Sequence, residues 1–224
     1  MKAPELPPSL EPLILFEDPN LIVISKPAGL LSQGEHTGDA NVVDWLRARV
    51  GREYVGLVHR LDRNTSGAMV IAKRTKAAQR LTEALTKGEL HRSYVAWITG
   101  ALEGEHEWSH WLRKDERTNT VRVVPKGSAG AKPASLRVRA LKAALWRGSP
   151  ITLAEFILET GRSHQIRVQC AHEGFPILGD RKYKREPDGF ARTALHSMKV
   201  EFPHPISRER LVFEAPLPDD LRGL

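Results

Sequence analysis

The stretch Val58-His59-Arg60-Leu61-Asp62-Arg63-Asn64-Thr65-Ser66-Gly67-Ala68-Met69-Val70-Ile71-Ala72-Lys73 decides how this chain reads. One apolar run, Val55 to Val58, leads into it, and a second, Ala68 to Ala72, leads out. Between them Asp62, Asn64, Thr65, Ser66 and Gly67 carry turn chemistry: short polar side chains that bond nearby backbone, and a glycine that tolerates positive φ. The pattern predicts strand, loop, strand, with one carboxylate on the loop between Arg60 and Arg63. Loops held by rigid elements commonly display binding and catalytic groups. Taken without its neighbours, Asp62 suits an Asx-turn better than a catalytic role, and Arg60 a solvated surface charge.

Working outward, the chain is long enough at 224 residues to bury a real core, as one large domain or as two closely packed halves. No apolar run approaches a membrane span. The start of the chain, with Pro4, Pro7, Pro8 and Pro12 and acidic residues, lacks the basic and apolar regions of a signal peptide. The lone Cys170 excludes an intramolecular disulfide. These features lead us to expect a cytoplasmic protein. An excess of 34 Lys+Arg over 27 Asp+Glu, net +7 with a pI near 9.7, favours a polyanionic partner, nucleic acid first among them.

Residues 1–12 read as an irregular Pro-rich lead-in, and residues 13–224 as the functional domain. Leu13 to Phe16 and Leu21 to Ser25 read as two strands joined by a tight turn over Glu17 to Asn20. Val42, Val43, Leu46 and Val50 recur at helical spacing between Asn41 and Val50. Thr75 is the expected cap of a second helix, with an apolar stripe of Ala77, Ala78, Leu81, Ala84 and Leu85 and a stop at Gly88. His91 to Gly100 is aromatic and β-branched, a strand. Residues 100–150 suggest an excursion of short strands, and Ile151 to Leu158 a buried one. Ser163 is the expected cap of a helix running to Gly174, which places Arg167 about one turn in. On spacing alone, Arg162 and Arg167 suit a solvated helix face or a phosphate contact.

His59-Arg60-Leu61-Asp62, two residues, then Thr65-Ser66-Gly67 resembles the central motif of the RluA-type pseudouridine synthases, which isomerise uridine in structured RNA. The resemblance extends, in order, through Lys26-Pro27-Ala28-Gly29-Leu30, Tyr94-Val95-Ala96, Gly161-Arg162-Ser163-His164-Gln165-Ile166-Arg167, Pro176 to Asp180, Leu195-His196 and Phe202-Pro203-His204-Pro205. It covers roughly residues 13–216. Departures are Arg92 where lysine is usual, Gln169 where histidine is frequent, and Leu136 and Val138 in place of Thr and Tyr. What the resemblance implies is an α+β fold: a curved, mostly antiparallel mixed sheet in two halves, with flanking helices and a central basic cleft. It implies that Asp62 is the catalytic carboxylate, nucleophile at the anomeric carbon or base at its neighbour. Tyr94 would stack on the base, and Arg167 would pair with Asp62. RNA contacts would come from Arg60, Arg63, Arg162, His59 and Arg92. Breaking and remaking a glycosidic bond transfers no electrons and adds no group, so neither cofactor nor metal is required. The expected partner is ribosomal (23S) or transfer RNA. A monomer without a separate N-terminal RNA-binding module is expected, since the lead-in is short.

Two other readings stand beside this one. A catalytically silent RNA-binding module on the same fold would share everything except turnover. His106-Glu107-Trp108-Ser109-His110 also fits H-E-x-x-H, a zinc hydrolase signature that works only on a helix. Gly100 and Gly104 precede it, and Trp108, Trp111 and Leu112 form no helical stripe.

Overall fold

The computed structural model describes residues 6–35, 37–51, 54–184 and 186–224; residues 1–5 of the lead-in lie outside the described residues. After a single 3-10 turn (Pro8–Leu10) come β1 (Leu13–Glu17), β2 (Leu21–Lys26), α1 (Val42–Val50), β3 (Gly56–Leu57), β4 (Ser66–Ala72) and α2 (Thr75–Thr86). β5 (His91–Thr99), β6 (Glu105–Asp115), β7 (Thr120–Val124), β8 (Lys132–Trp146), β9 (Ser149–Leu158) and α3 (Gln165–His172) follow. β10 (Leu195–Pro203), β11 (Arg210–Glu214) and α4 (Asp219–Arg222) complete the chain. The class is α+β, with strands dominating. Among the described residues no helix is long and apolar enough to cross a membrane.

The described chain divides into two compact units. The first joins Met1–Arg92 to His196–Pro218. Its strands run β1-β2-β4-β10, with β3 also on β4 and β11 also on β10. Every pairing there is antiparallel except β4 with β10, which is parallel through Ser66 with His196 and Gly67 with Ser197. The β1–β2 turn forms because Asp18 Oδ1 accepts the N–H groups of Asn20 and Leu21, both at 2.7 Å. Leu21, Val23, Ala68, Val70 and Ala72 on one sheet face pack with Ala77, Leu81 and Ala84 of α2 into one core. The alternate residues Ile22, Ile24, Met69 and Ile71 are fully buried too, so β2 and β4 are covered on both faces. α1 starts where expected: Asn41 Oδ1 accepts the Asp44 N–H at 3.0 Å. For α2 the cap is Arg74 rather than Thr75, and no side chain bonds there.

The second unit comprises Ser93–Leu195 with Asp219–Leu224. Its antiparallel strands run β5-β9-β8-β6-β7. The segment 100–150 makes one short strand, β7, and two long ones. β6 has 11 residues and β8 has 15, because each gains a long partner even where its exposed face is charged. α3 lies on β6 and β7, where Val168 joins Leu112, Val121 and Ala134 in a small core. Its cap also differs from expectation. His164, at φ +51, holds the N-cap position, and Gln165 rather than Ser163 secures the entry. Gln165 Oε1 accepts from Arg162 N (3.0 Å) and Thr160 Oγ1 (2.8 Å), while its Nε2 donates to Ser135 O (3.1 Å). At the C-terminus, Trp97 Nε1 donates to Leu221 O at 2.8 Å and holds α4 in place.

The parallel junction in the first unit depends on a glycine. Gly67 has φ +114, and a Cβ there would lie 2.1 Å from the carbonyl oxygen of Ser197. The motif's Thr-Ser-Gly half is therefore architectural: Ser66 Oγ bonds His196 Nδ1 at 2.9 Å, and Ser197 Oγ donates to Ala68 O at 3.0 Å. Gly67→Ala combines strain with a backbone clash and should cost roughly 3 kcal/mol or more. Urea unfolding of the purified variant measures this; a midpoint within error of wild type would contradict it.

Candidate active site

Asp62 sits at the start of a turn whose Thr65 N–H bonds back to Asp62 O at 3.0 Å, and it is half-buried. Both of its neighbours are clamped. On the N-terminal side, Ser32 Oγ donates to Leu61 O (2.7 Å) and accepts from Leu61 N (3.1 Å). On the C-terminal side, Arg63 O accepts from Gly29 N (2.8 Å) and from the Lys26 ammonium (3.2 Å). That ammonium is fully buried and also donates to Leu30 O at 2.7 Å and Pro27 O at 2.9 Å. A charge so buried persists only with good partners, and carbonyl oxygens supply them here. Lys26 thus ties the loop 26–30 to the loop bearing Asp62. Sequence reading matched Lys26-Pro27-x-Gly29-Leu30 without finding this role, and it missed Ser32.

The flanking basic residues take different places. Arg60 is exposed. Arg63 is exposed but engaged, donating from Nε to Gly29 O (3.1 Å) and from Nη1 to Asp39 Oδ2 (2.8 Å). His59 and Arg92 are not surface contacts: they are 7% and 8% exposed. His59 Nε2 accepts the Val70 N–H at 3.2 Å, one rung beyond the β3–β4 pairing, so the ring continues that ladder. Burial, and secondarily the charge of Arg92, pushes the His59 pKa down to about 3. The ring is neutral, with its proton on Nδ1.

In the second unit Tyr94 is 5% exposed on β5, opposite Phe156 of β9. Arg167 lies in the first turn of α3. Its Nε and Nη2 donate to Asp180 Oδ2 and Oδ1 at 2.7 and 2.8 Å, a bidentate pair. The guanidinium also lies 5.2 Å from the ring centre of Tyr183. Asp180 is 1% exposed and accepts in addition from Lys182 N (3.0 Å) and Tyr183 N (3.3 Å). Tyr183 is itself fixed, its hydroxyl accepting from Val121 N at 2.9 Å and bonded to His164 Nδ1 at 2.6 Å. Asp180 and Tyr183 are therefore positioning residues that sequence reading did not single out. Arg162 is half-buried and donates from Nε to Pro133 O at 2.9 Å.

The zinc reading is overturned. His106 and His110 lie on strand β6, where four residues span about 13 Å, against about 6 Å on a helix. His106 Nε2 bonds Glu103 O at 2.7 Å, and His110 Nε2 pairs with Glu173 at 2.9 Å.

Two outcomes follow from these geometries. Asp180→Ala removes two charge-assisted bonds from Arg167 and the acceptor of the Lys182 and Tyr183 amides, and should lower stability by about 3 kcal/mol in denaturant titration. A loss below 1 kcal/mol would mean that the pair is dispensable. The second concerns pH. The folded-state pKa of His59, about 3, lies below the ordinary value of 6.5, so the unfolded chain binds the extra proton between them. This contribution is complete above pH 6.5 and is lost on acidification towards pH 3, in total on the order of 5 kcal/mol. His59→Gln keeps an acceptor for Val70 N–H but does not titrate, so its stability should vary less with pH over that window. Parallel curves for both proteins would remove His59 as the source.

A family model described as RNA pseudouridylate synthase matches residues 20–172. A ribosomal large subunit pseudouridine synthase D of Xanthomonas campestris is 35% identical over 94% of this chain and 67% of its own length. A ribosomal large subunit pseudouridine synthase C of Haemophilus influenzae is 34% identical over 96% and 68%. Among solved structures, human RNA pseudouridylate synthase domain containing 1 superposes with a TM-score of 0.79 at 25% identity, covering 95% of this chain and 86% of that one. Human RNA pseudouridylate synthase domain containing 4 shares the fold at 22% identity, with a TM-score of 0.73 and coverage of 94% and 90%. The matched span contains the clamped Asp62 turn, the Tyr94 strand and Arg167, and with these relatives it establishes that the chain belongs to the RNA pseudouridylate synthase family.

Proposed function

We propose that this chain isomerises uridine to pseudouridine in structured RNA, with ribosomal RNA of the large subunit as the substrate. Residues 13–224 would act as one catalytic domain, in the cytoplasm and as a monomer. The observation that carries the reading is the half-buried Asp62 turn, clamped on both sides by Ser32, Gly29 and Lys26. A carboxylate whose neighbours cannot move reaches the ribose with little reorganisation, which is where preorganised sites gain rate. Asp62 attacks the anomeric carbon or takes the neighbouring proton; either route breaks the bond to N1 of uracil. Tyr94 supports the detached base while it turns; C5 then bonds the anomeric carbon as Asp62 leaves it, or as the proton taken from the neighbouring carbon returns, and the C5 proton is lost while N1 gains one. Arg167 pairs with Asp62. A guanidinium has five N–H donors, of which Asp180 takes two, so pairing with a second carboxylate is compatible with its seat. Basic residues, Arg60 first among them, offset the few kcal/mol needed to unstack the uridine. The relatives' names support the choice of ribosomal RNA.

Pseudouridine mapping of total RNA, with and without the gene, tests this. One or a few large-subunit sites should vanish and return with wild type but not with Asp62→Asn. A change confined to transfer RNA would move the substrate, and full rescue by Asp62→Asn would remove Asp62 from the chemistry. Tyr94→Phe keeps the ring and should retain more turnover than Tyr94→Ala; equal loss would show that the hydroxyl does more than support stacking. Neutralising Arg60 should make the salt dependence of RNA binding shallower by roughly 0.7–0.9 in the logarithmic slope.

A further inference from the structure

The second unit's sheet has one face turned away from α3, and its charges are arranged unevenly. On β6 the buried Trp108 and Leu112 point towards the α3 side, so Glu105, Glu107, Ser109, Trp111 and Arg113 point the other way. At one end of this outer face opposite charges are matched. Glu107 stands opposite Arg137, and Glu105 opposite Arg139, which bonds Glu155 at 2.7 Å. At the other end they are not. Arg113 of β6 stands directly opposite Arg122 of β7, and both are exposed. Like charges directly opposed across two strands destabilise the pair. Asp115, next along that face, spends Oδ1 on the turn amides of Arg117 and Thr118 at 3.0 and 3.3 Å. Two opposed arginines on an otherwise charge-matched face suit an anion brought from outside the chain.

Trp111 lies beside them, half-buried, between Val124 of β7 and Pro133 of β8. The other tryptophans of this unit are committed to its interior. Trp108 is 6% exposed against Phe156, while Trp97 and Trp146 give their N–H groups to Leu221 O and Asp188 O. An accessible indole beside two guanidinium groups is the combination that stacks an unpaired base while its phosphates are held. Continuity favours RNA as well. Arg162, which the family resemblance implies as an RNA contact, donates from Nε to Pro133 O at 2.9 Å. RNA reaching Arg162 has Trp111 two strand spacings away, about 10 Å.

We propose that Trp111, Arg113 and Arg122 form a second RNA-binding surface, where an unpaired nucleotide stacks on the indole and its flanking phosphates meet the two arginines. The surface stands apart from Asp62, Tyr94 and Arg167. It rests on the functional reading above and extends the substrate of that reading onto the outer sheet face.

The test uses the full chain and a short single-stranded oligouridylate as probe, and it reads binding rather than turnover. Arg113→Gln combined with Arg122→Gln should weaken binding about tenfold and make its salt dependence shallower by roughly 1.4 in logarithmic slope, the share of two single-strand phosphates. Trp111→Ala should also weaken it about tenfold, with the slope unchanged, and Trp111→Tyr should recover most of that loss. In low salt the double arginine variant should melt at or above the wild-type temperature, since it removes opposed like charges. A lower melting temperature would make the arginines structural and overturn the proposal. Unchanged affinity in both sets of variants would place the probe elsewhere and overturn it too. Polyglutamate controls for charge alone: if it binds as tightly as the oligouridylate and Trp111→Ala alters neither, the face takes acidic protein and the RNA assignment falls. An inactive wild type that still shows the predicted losses would defeat the functional reading and leave this surface standing.

Discussion

The ammonium group of Lys26, withdrawn from water and divided among the carbonyls of Pro27, Leu30 and Arg63, is the interaction on which the first unit's chemistry depends. It ends β2, shapes the loop that follows, and reaches across 37 residues of chain to the turn holding Asp62. A hydrophobic side chain there would take this donor from the carbonyls of Pro27 and Leu30 and leave Arg63 O with the Gly29 amide alone; a carboxylate would repel them. Because hydrogen bonds to a charged donor are roughly twice as strong as neutral ones, one side chain does what several neutral contacts would otherwise have to do. The Ser32 hydroxyl completes the clamp at Leu61. Asp62 thus stays on a loop while its backbone is held as firmly as a strand.

The second unit solves the same problem with opposite charges. There the candidate group is the cation, and a buried carboxylate holds it: Asp180 orients Arg167 through two bonds, while the Tyr183 face limits its swing. Asp180 is itself fixed by the amides of Lys182 and Tyr183. Neither candidate is positioned by its own secondary structure alone. Each relies on a charged neighbour with little exposure, and this explains why residues without chemistry of their own recur in the motifs.

How far this was legible in the chain divides along physical lines. Local signals read well: the 13–26 hairpin, the Asn41 cap and the strand-loop-strand around Asp62 are specified by alternation and by turn residues within a few positions. Whatever depends on burial did not. Nothing within a few positions of His59 or Arg92 announces that they leave solvent, so both were expected at the RNA surface. Ser163 looked like a cap because it is a serine before a helix, whereas Gln165 folds back to Thr160 and takes over that role. The long β6 and β8 were read as short because charged residues on the exposed face interrupt their apolar pattern. The family motif, not periodicity, supplied Asp62, Tyr94 and Arg167.

The parallel junction of β4 with β10 joins residues 66 and 67 to residues 196 and 197. The first unit is therefore assembled from the two ends of the chain, with the second unit's main segment intervening. During synthesis, β10 leaves the ribosome only after residues 93–195 have emerged, so those residues can collapse while the sheet that carries Asp62 still lacks its neighbour. Closing so long a loop is slow compared with forming hairpins. Until it closes, the Ser66–Gly67 end of β4 lacks its neighbour, while β2 and β3 already pair the rest of the strand. Assembly of the Asp62 side therefore waits on that long closure, and the fit of Gly67 against Ser197 is among the last contacts to form.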